Sequence, residues 1–384
     1  MRDSMKSVKQ TLKFSGDKIM KPDKNLIFSA PESISFWIIL FLLFSMNPKI
    51  RGQGSQEAAN SGFDVKRPVM AGACLEGCPW GEIGDFVRES LKPFGYEVEL
   101  CLNCGRTLGP GLVSKSLIPP QRDKEQPAAG TALDIKGKVD FGVTATDFLI
   151  RAYHGEYEYK TEGPYKNLRL IAKIEDPFYV LVAVKSGSGI TDLAKIKENH
   201  LPLRILCMDS PLTRIIMEYY DLTKENLKLW GGSTGNIMTE RENAGFDVII
   251  SDLGSPANNP ESDYWTFYTY RYNLDFIELP EDLLNLMVAK VMGSEIVTAK
   301  WGLLKGIKKP FKTVARSGES VFARDDTPEQ AAYDIAKAID VNRANLKWYI
   351  RPYSYDSHTV WKTGDVPLHP GAERYYREAS YIKD

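Results

Sequence analysis

Between Pro68 and Leu102 the chain spells out a strand, an amphipathic helix and a second strand, and this order constrains the fold more than any other feature. Residues 68–74 (PVMAGAC) are a short apolar run. Residues 80–92 (WGEIGDFVRESLK) carry Ile83, Phe86, Val87 and Leu91 at helical spacing, and residues 96–102 (YEVELCL) alternate. A strand, helix and strand so closely spaced form a right-handed crossover, so the two strands run parallel. Parallel strands are covered by helices on both faces, which makes the core α/β. The alternation then repeats. Strands are expected at 138–143, 168–174, 178–184, 203–208, 246–251, 274–279, 313–315 and 320–322. Helices are expected at 148–153, 212–220, 281–290 and 327–344, the last with Pro328 at its first position and Glu329 and Gln330 in its first turn. Residues 105–130, rich in Gly, Pro and Lys, read as a long exposed loop. At 384 residues the chain is long enough for two lobes. We expect lobe 1 from 63–175 together with 311–384, and lobe 2 from 176–310, joined by crossing strands.

The amino terminus has a different character. Residues 36–44 (FWIILFLLF) are nine consecutive apolar residues within an apolar run from Ile34 to Met46. Such a run is shorter than the roughly 20 residues needed to cross a bilayer core. Lys6, Lys9, Lys13, Lys18, Lys21 and Lys24 precede it. Basic, then apolar, then small and polar is the order of a secretory signal, expected within 1–54 and followed by a linker to residue 62. An uncleaved anchor is the alternative. Either reading exports the globular part.

Export changes the meaning of the five cysteines. Cys74 and Cys78 are spaced C-x3-C, and Cys101 and Cys104 are spaced C-x2-C, each pair at the carboxyl end of one of the first two strands. In an oxidising compartment the four suggest disulfides, and neighbouring strand ends should bring Cys74 or Cys78 to Cys101 or Cys104. Zinc is the reading for a reducing compartment. Cys207 stands alone and reads as a small buried hydrophobe.

A net charge of −1 gives no electrostatic footprint for nucleic acid. Phosphate-loop, dinucleotide and H-E-x-x-H zinc motifs are absent, and His154, His200, His358 and His369 are scattered. These features argue against an enzyme, a resident metal or a cofactor. In open α/β sheets ligands sit at the carboxyl ends of the strands. The candidate ligand-binding residues there are Cys78, Trp80, Arg106, Thr144, Thr146, Asp147, Asp209, Ser210, Thr213, Arg214 and Asp252. Trp80 would stack on an apolar part of a ligand, the hydroxyls would donate hydrogen bonds, and Arg106 or Arg214 would pair with a carboxylate. Asp147, Asp209 and Asp252 would receive hydroxyl or ammonium groups, or cap the helices that follow. Helices beginning at Trp80 and Pro211 would turn free N–H groups toward an anion.

The last nineteen residues, 366–384 (VPLHPGAERYYREASYIKD), lead through Pro367 and Pro370 into a short helix expected at 372–379, docked rather than frayed. This tail closely resembles the carboxyl-terminal signature of the TAXI-family solute-binding proteins, the extracytoplasmic receptors of TRAP transporters. Residues 137–142 (GKVDFG) resemble their GxxDxG strand, Asp147 stands where their Ser-Asp aspartate stands, residues 166–169 resemble their entry to the crossing strand, and residues 189–193 resemble a further turn. The likeness covers about 68–384. Residues 72–81 depart from the family's Gly-rich first loop by carrying two cysteines and one Trp. The resemblance implies a two-lobed, periplasmic-binding-protein-like α/β fold of type II strand order, with a ligand cleft between the lobes. It further implies a monomeric, periplasmic receptor for a small carboxylate or amino-acid-like solute, with TRAP permease subunits as membrane partners. The alternatives are an exported enzyme using the four clustered cysteines for redox or zinc chemistry, or a ligand-sensing receptor domain.

Overall fold

The computed structural model describes residues 63–383 except 75–77, 103, 106–107, 117–137, 241–244, 256–262, 317, 350 and 352. The expected signal or anchor segment, Arg106 and most of the expected 105–130 loop therefore lie outside the described residues.

The chain opens with strand β1 (Val69–Ala71), helix α1 (Pro79–Leu91) and strand β2 (Glu99–Leu100). β1 and β2 pair in parallel, as the crossover requires. β2 is shorter than its alternating pattern suggests, because Tyr96 and Val98 are buried in the core as a connecting segment. Where an exposed loop was expected, Pro110 sits in the first turn of α2 (Gly109–Lys115) and Val113 is buried beneath lobe 1. β3 (Phe141–Ala145), α3 (Thr146–His154) and β4 (Leu168–Ile174) follow. The chain then crosses to β5 (Phe178–Lys185) and the second lobe. There it forms α4 (Ala194–Glu198), β6 (Arg204–Cys207), α5 (Pro211–Tyr219), α6 (Lys224–Leu229), β7 (Ser233–Asn236), β8 (Val248–Gly254), α7 (Asp263–Arg271), β9 (Leu274–Phe276), α8 (Glu281–Lys290), β10 (Ser294–Ala299) and β11 (Phe311–Arg316). It returns as β12 (Glu319–Arg324), then α9 (Glu329–Asn342) and α10 (Pro370–Glu378).

Among the described residues the first sheet has the order β2-β1-β3-β12-β4 and the second β10-β11-β5-β8-β6-β7, with β9 on β5. This is the expected α/β two-sheet arrangement, and the first sheet takes strands from both ends of the described chain. One boundary differs. The strand at 311–316, expected in lobe 1, pairs with β10 and β5 in the second sheet. The return to the first sheet therefore comes after Arg316 and before Glu319. The reason is visible in the register: Ala315 and Arg316 lie opposite Tyr179 and Phe178, so the outgoing and returning strands share one ladder.

Alternation along the strands sorts each sheet's side chains into two cores. In β5, Val180, Val182 and Val184 join α5 and α8, whereas Leu181 and Ala183 join α7 and its Trp265. In lobe 1, Met70, Val143 and Ala172 face α1 and α9, and Val69, Leu170 and Phe322 face α2 and α3. Each large apolar side chain buried in this way stabilises the fold by about 1.5–3 kcal/mol.

The tail is docked. Leu170 N–H donates to Pro367 O at 2.9 Å and His369 N–H to Leu170 O at 2.8 Å, so the tail runs along the edge of β4. Pro370 starts α10, and the His369 side chain accepts the Gly371 N–H at 3.2 Å. A Cβ at Gly371 would run into the Glu329 carbonyl, so only glycine lets α10 lie this close to α9. Fully buried Tyr376 donates to Ile171 O at 3.0 Å, and Tyr375 and Tyr381 donate to the buried Asp340.

Candidate functional site

The chain passes between the sheets twice, at residues 175–177 and between Arg316 and Glu319, and the charged groups flanking these crossings are buried together. Glu319 opens β12 at 3 % exposure, and Asp176 sits in the outgoing crossing at 1 %. Arg316 closes β11, with its Nε 3.6 Å from Asp252 Oδ2 near the end of β8. None of Arg316, Glu319, Asp176 or Arg351 was picked out by sequence reasoning.

Trp80, in the first turn of α1, donates its Nε1–H to Glu319 Oε2 at 2.7 Å. Its ring meets Phe148 of α3 edge-on at 6.1 Å, so Trp80 bridges two lobe-1 elements. Burial raises the Glu319 carboxyl well above its usual range, and the charges of Asp176 and Asp147 push the same way. The Trp80 hydrogen bond and the Arg351 charge oppose that rise without cancelling it. Glu82 on α1 is ion-paired with Arg351, its Oε2 lying 3.2 Å from Nε, and accepts a hydrogen bond from Tyr353 Oη at 2.8 Å.

Arg316 is enclosed by the charges of Asp252, Asp147 and Glu319 and lies over the Phe178 ring at 5.9 Å. Desolvation disfavours its cation, but the three carboxylates outweigh this and raise its pKa. Water still reaches 28 % of its side chain, while the Asp252 side chain is only 3 % exposed. Asp252 Oδ1, Thr144 Oγ1 and Arg316 Nε are buried atoms without a hydrogen-bond partner. A buried polar atom left without a hydrogen bond costs about 1–3 kcal/mol, which makes these groups candidates for contact with a ligand or water. Thr144 lies directly opposite Ser320 in the ladder, on the same face. Ser320 Oγ is in turn 3.0 Å from Thr146 Oγ1 at the start of α3.

Of the expected site residues, Trp80, Thr144, Thr146, Asp147 and Asp252 come together around these crossings. Asp147, rather than standing open, is paired through Oδ2 with Arg151 Nη2 at 2.8 Å. Asp252 lies inside β8 instead of capping a helix after it. Ser210 caps α5 by accepting the Thr213 N–H at 3.2 Å, and its hydroxyl donates to Thr213 Oγ1 at 3.1 Å. Asp209 and Arg214 pair with each other at 3.1 Å with side chains 82 % and 64 % exposed, away from the buried cluster.

The cysteines correct an expectation. The bridges close within each pair, Cys74–Cys78 and Cys101–Cys104, with Cα separations of 5.9 and 5.3 Å, and not between the strands. The two loops meet through backbone instead, Gly72 N–H donating to Cys104 O at 3.3 Å. Cys78 also precedes α1, its carbonyl accepting the Gly81 and Glu82 N–H groups. Cys207 is partly buried, and burial raises its thiol pKa, followed by the charges of Asp209 and Glu240. Among the described residues no group of three or more His, Cys, Asp or Glu could hold a metal ion.

Two sheets of the observed orders, two crossings and a polar cluster at the crossings define a two-lobed, periplasmic-binding-protein-like α/β molecule. The family follows from the sequence match: residues 131–379 fit the NMT1-like family model, and the chain belongs to that family. Several solved structures are similar at low identity. A protein described as a periplasmic transporter is 11 % identical, with 83 % of this chain and 94 % of that one covered and a TM-score of 0.40. MatC from Rhodopseudomonas palustris with bound malate is 12 % identical, with coverage of 83 % and 98 % and a TM-score of 0.39. The aliphatic sulphonate binding protein SsuA from Escherichia coli is 10 % identical, with coverage of 74 % and 76 % and a TM-score of 0.36.

Proposed function

We propose that this protein is the exported solute-binding component of a membrane transporter, holding a small organic solute at the crossings between its lobes. The observation that carries the reading is the set of buried atoms there that lack a hydrogen-bond partner, Asp252 Oδ1, Thr144 Oγ1 and Arg316 Nε. They offer one carboxylate oxygen, one hydroxyl and one guanidinium N–H. An amino-acid-like solute matches this set better than a simple carboxylate does. Its carboxylate would face Arg316 and its ammonium would face Asp252, with Thr144 orienting either group. A dicarboxylate would add negative charge to a cluster that already contains Asp147, Asp176 and Asp252, and would compete with Asp252 for Arg316. Membership in the NMT1-like family and the tail's resemblance to TAXI proteins support the transport reading, and the resemblance favours a TRAP permease as partner. Two local disulfides and a partly buried Cys207 leave little for the alternative redox or zinc chemistry to use.

A thermal-shift screen of amino acids and organic acids on the full chain tests the reading. A binder at 100 times its Kd should raise stability by about 2.7 kcal/mol. Arg316→Gln should weaken binding of any carboxylate-bearing binder by roughly 10- to 100-fold, and Asp252→Asn should do the same only for amines. If no solute shifts the melt, or if neither substitution changes the affinity of one that does, the site is elsewhere.

A further inference from the structure

Residues 290–293, the corner between α8 and β10, belong to the second lobe by sequence but touch the first at three points. At the first, Tyr157 Oη donates to Lys290 O at 2.9 Å, satisfying one of the carbonyls that the end of α8 leaves open. At the second, Met292 packs against the lobe-1 cluster containing Leu149 and Tyr159. The third is Gly293, which lies on the first turn of α3: a Cβ built there would sit 2.5 Å from Asp147 Cβ and 2.6 Å from Asp147 Cα. No real side chain tolerates that approach, and the backbone at Gly293 is also left-handed, with φ of 72°.

The lobe-1 side of the contact is braced. Arg151 pairs with Asp147 at 2.8 Å, and its guanidinium lies 4.8 Å from the centre of the Tyr157 ring. Tyr157 is itself held at a φ of 51°, which a non-glycine residue adopts only against strain. Strain, a stacked cation and a hydrogen bond therefore meet at one exposed tyrosine whose partner is in the other lobe.

We propose that the 290–293 corner and the Asp147–Arg151–Tyr157 group form a latch that keeps the lobes together without solute. The corresponding function, control of access to the crossings, rests on the solute-binding reading above. The contact belongs to the protein's own groups and needs no solute, so it biases the lobes toward this arrangement before anything binds. Closure then costs a solute little, and the latch strength sets the ratio of closed to open molecules.

The test uses the full chain, free of solute, with Cys207→Ser and spin labels at Lys160→Cys in lobe 1 and Lys300→Cys in lobe 2, both exposed. The distance distribution of this parent should be dominated by one short population. Tyr157→Ala removes the hydrogen bond and the stacked cation at an exposed position and should raise the long-distance fraction roughly tenfold. Gly293→Val should move most molecules to the long distance, its folding being checked by near-ultraviolet circular dichroism. If Gly293→Val does not fold, Tyr157→Ala decides alone. A distribution unchanged by Tyr157→Ala, or a parent already dominated by the long distance, overturns the latch. No solute enters the measurement, so this result is independent of the solute screen.

Discussion

His369 gives the sharpest quantitative test of how the tail is held. It precedes α10, is 1 % exposed, and its Nδ1 accepts the Gly371 N–H, a role that only an unprotonated nitrogen can fill. Burial lowers its pKa to about 4 from the usual 6.5, and the charge of Arg169 pushes the same way against the pull of the Thr327 and Arg324 backbone. The positive end of α10 also disfavours an imidazolium there. A depressed folded pKa means that the unfolded chain binds the proton first. The stability contribution is therefore present above pH 6.5 and is lost as the pH falls toward 4. At pH 5 the loss is about 2 kcal/mol, and below pH 4 it levels off near 3.4 kcal/mol, from 1.36 kcal/mol per unit over about 2.5 units. His369→Asn keeps a side chain able to cap the helix and removes the titration. Urea unfolding of both proteins at pH 7.5 and pH 5.0 isolates the effect, because every other acid-sensitive group cancels in the difference. The parent should lose about 2 kcal/mol more than His369→Asn between the two conditions. Equal losses would refute the argument and mean that the imidazole is solvated.

Asp140 should behave in the opposite sense. Burial raises its carboxyl to about 6 from 3.8, against the lowering effect of the Val69 N–H bond at 2.8 Å, so its contribution is present below pH 3.8 and lost as the pH rises through 6. Asp140→Asn should gain about 2.4 kcal/mol on the parent between pH 4 and pH 8, and parallel stability profiles would contradict this. Alkylation of denatured, unreduced protein followed by peptide mass mapping should find Cys207 labelled and the bridges Cys74–Cys78 and Cys101–Cys104. Each closes a loop so short that its removal should cost about 2 kcal/mol, and a cross-strand pairing would overturn the connectivity. Trp80→Phe removes the N–H that donates to Glu319 Oε2 and should cost about 1–3 kcal/mol. Combined with Glu319→Gln the loss should be much less than additive, and simple additivity would mean that the two side chains are not coupled.

The range over which contacts are made separates what could be read from the sequence and what could not. Strands such as 168–174 and 178–185, and helices such as 211–219 and 281–290, follow from periodicity, because each needs only its own residues to declare a buried face. The docked tail is likewise readable, since Pro370, Gly371 and Tyr376 act within one short helix. The Ser210 cap and the Asp209–Arg214 pair are locally plausible, but a local pair on a helix start is the kind most easily left in solvent. The crossing cluster is the reverse case. Trp80 and Glu319 are 239 residues apart, and nothing near either one records the other. The cysteine pairing escapes the spacings for a related reason: strand ends that are neighbours can still direct their thiols back along their own loops. One sequence cue does survive. Asp176 follows the apolar strand ending at Ile174, Arg316 closes the strand 311–316, and Glu319 opens the next, so charges stand at both places where the chain leaves one sheet for the other. A charge at a crossing cannot join either lobe's apolar core, and it must find its counter-charge in the space between them. In a two-lobed chain that space is where a ligand binds, so the ends of the crossing strands are candidate ligand contacts on the same footing as the helix starts.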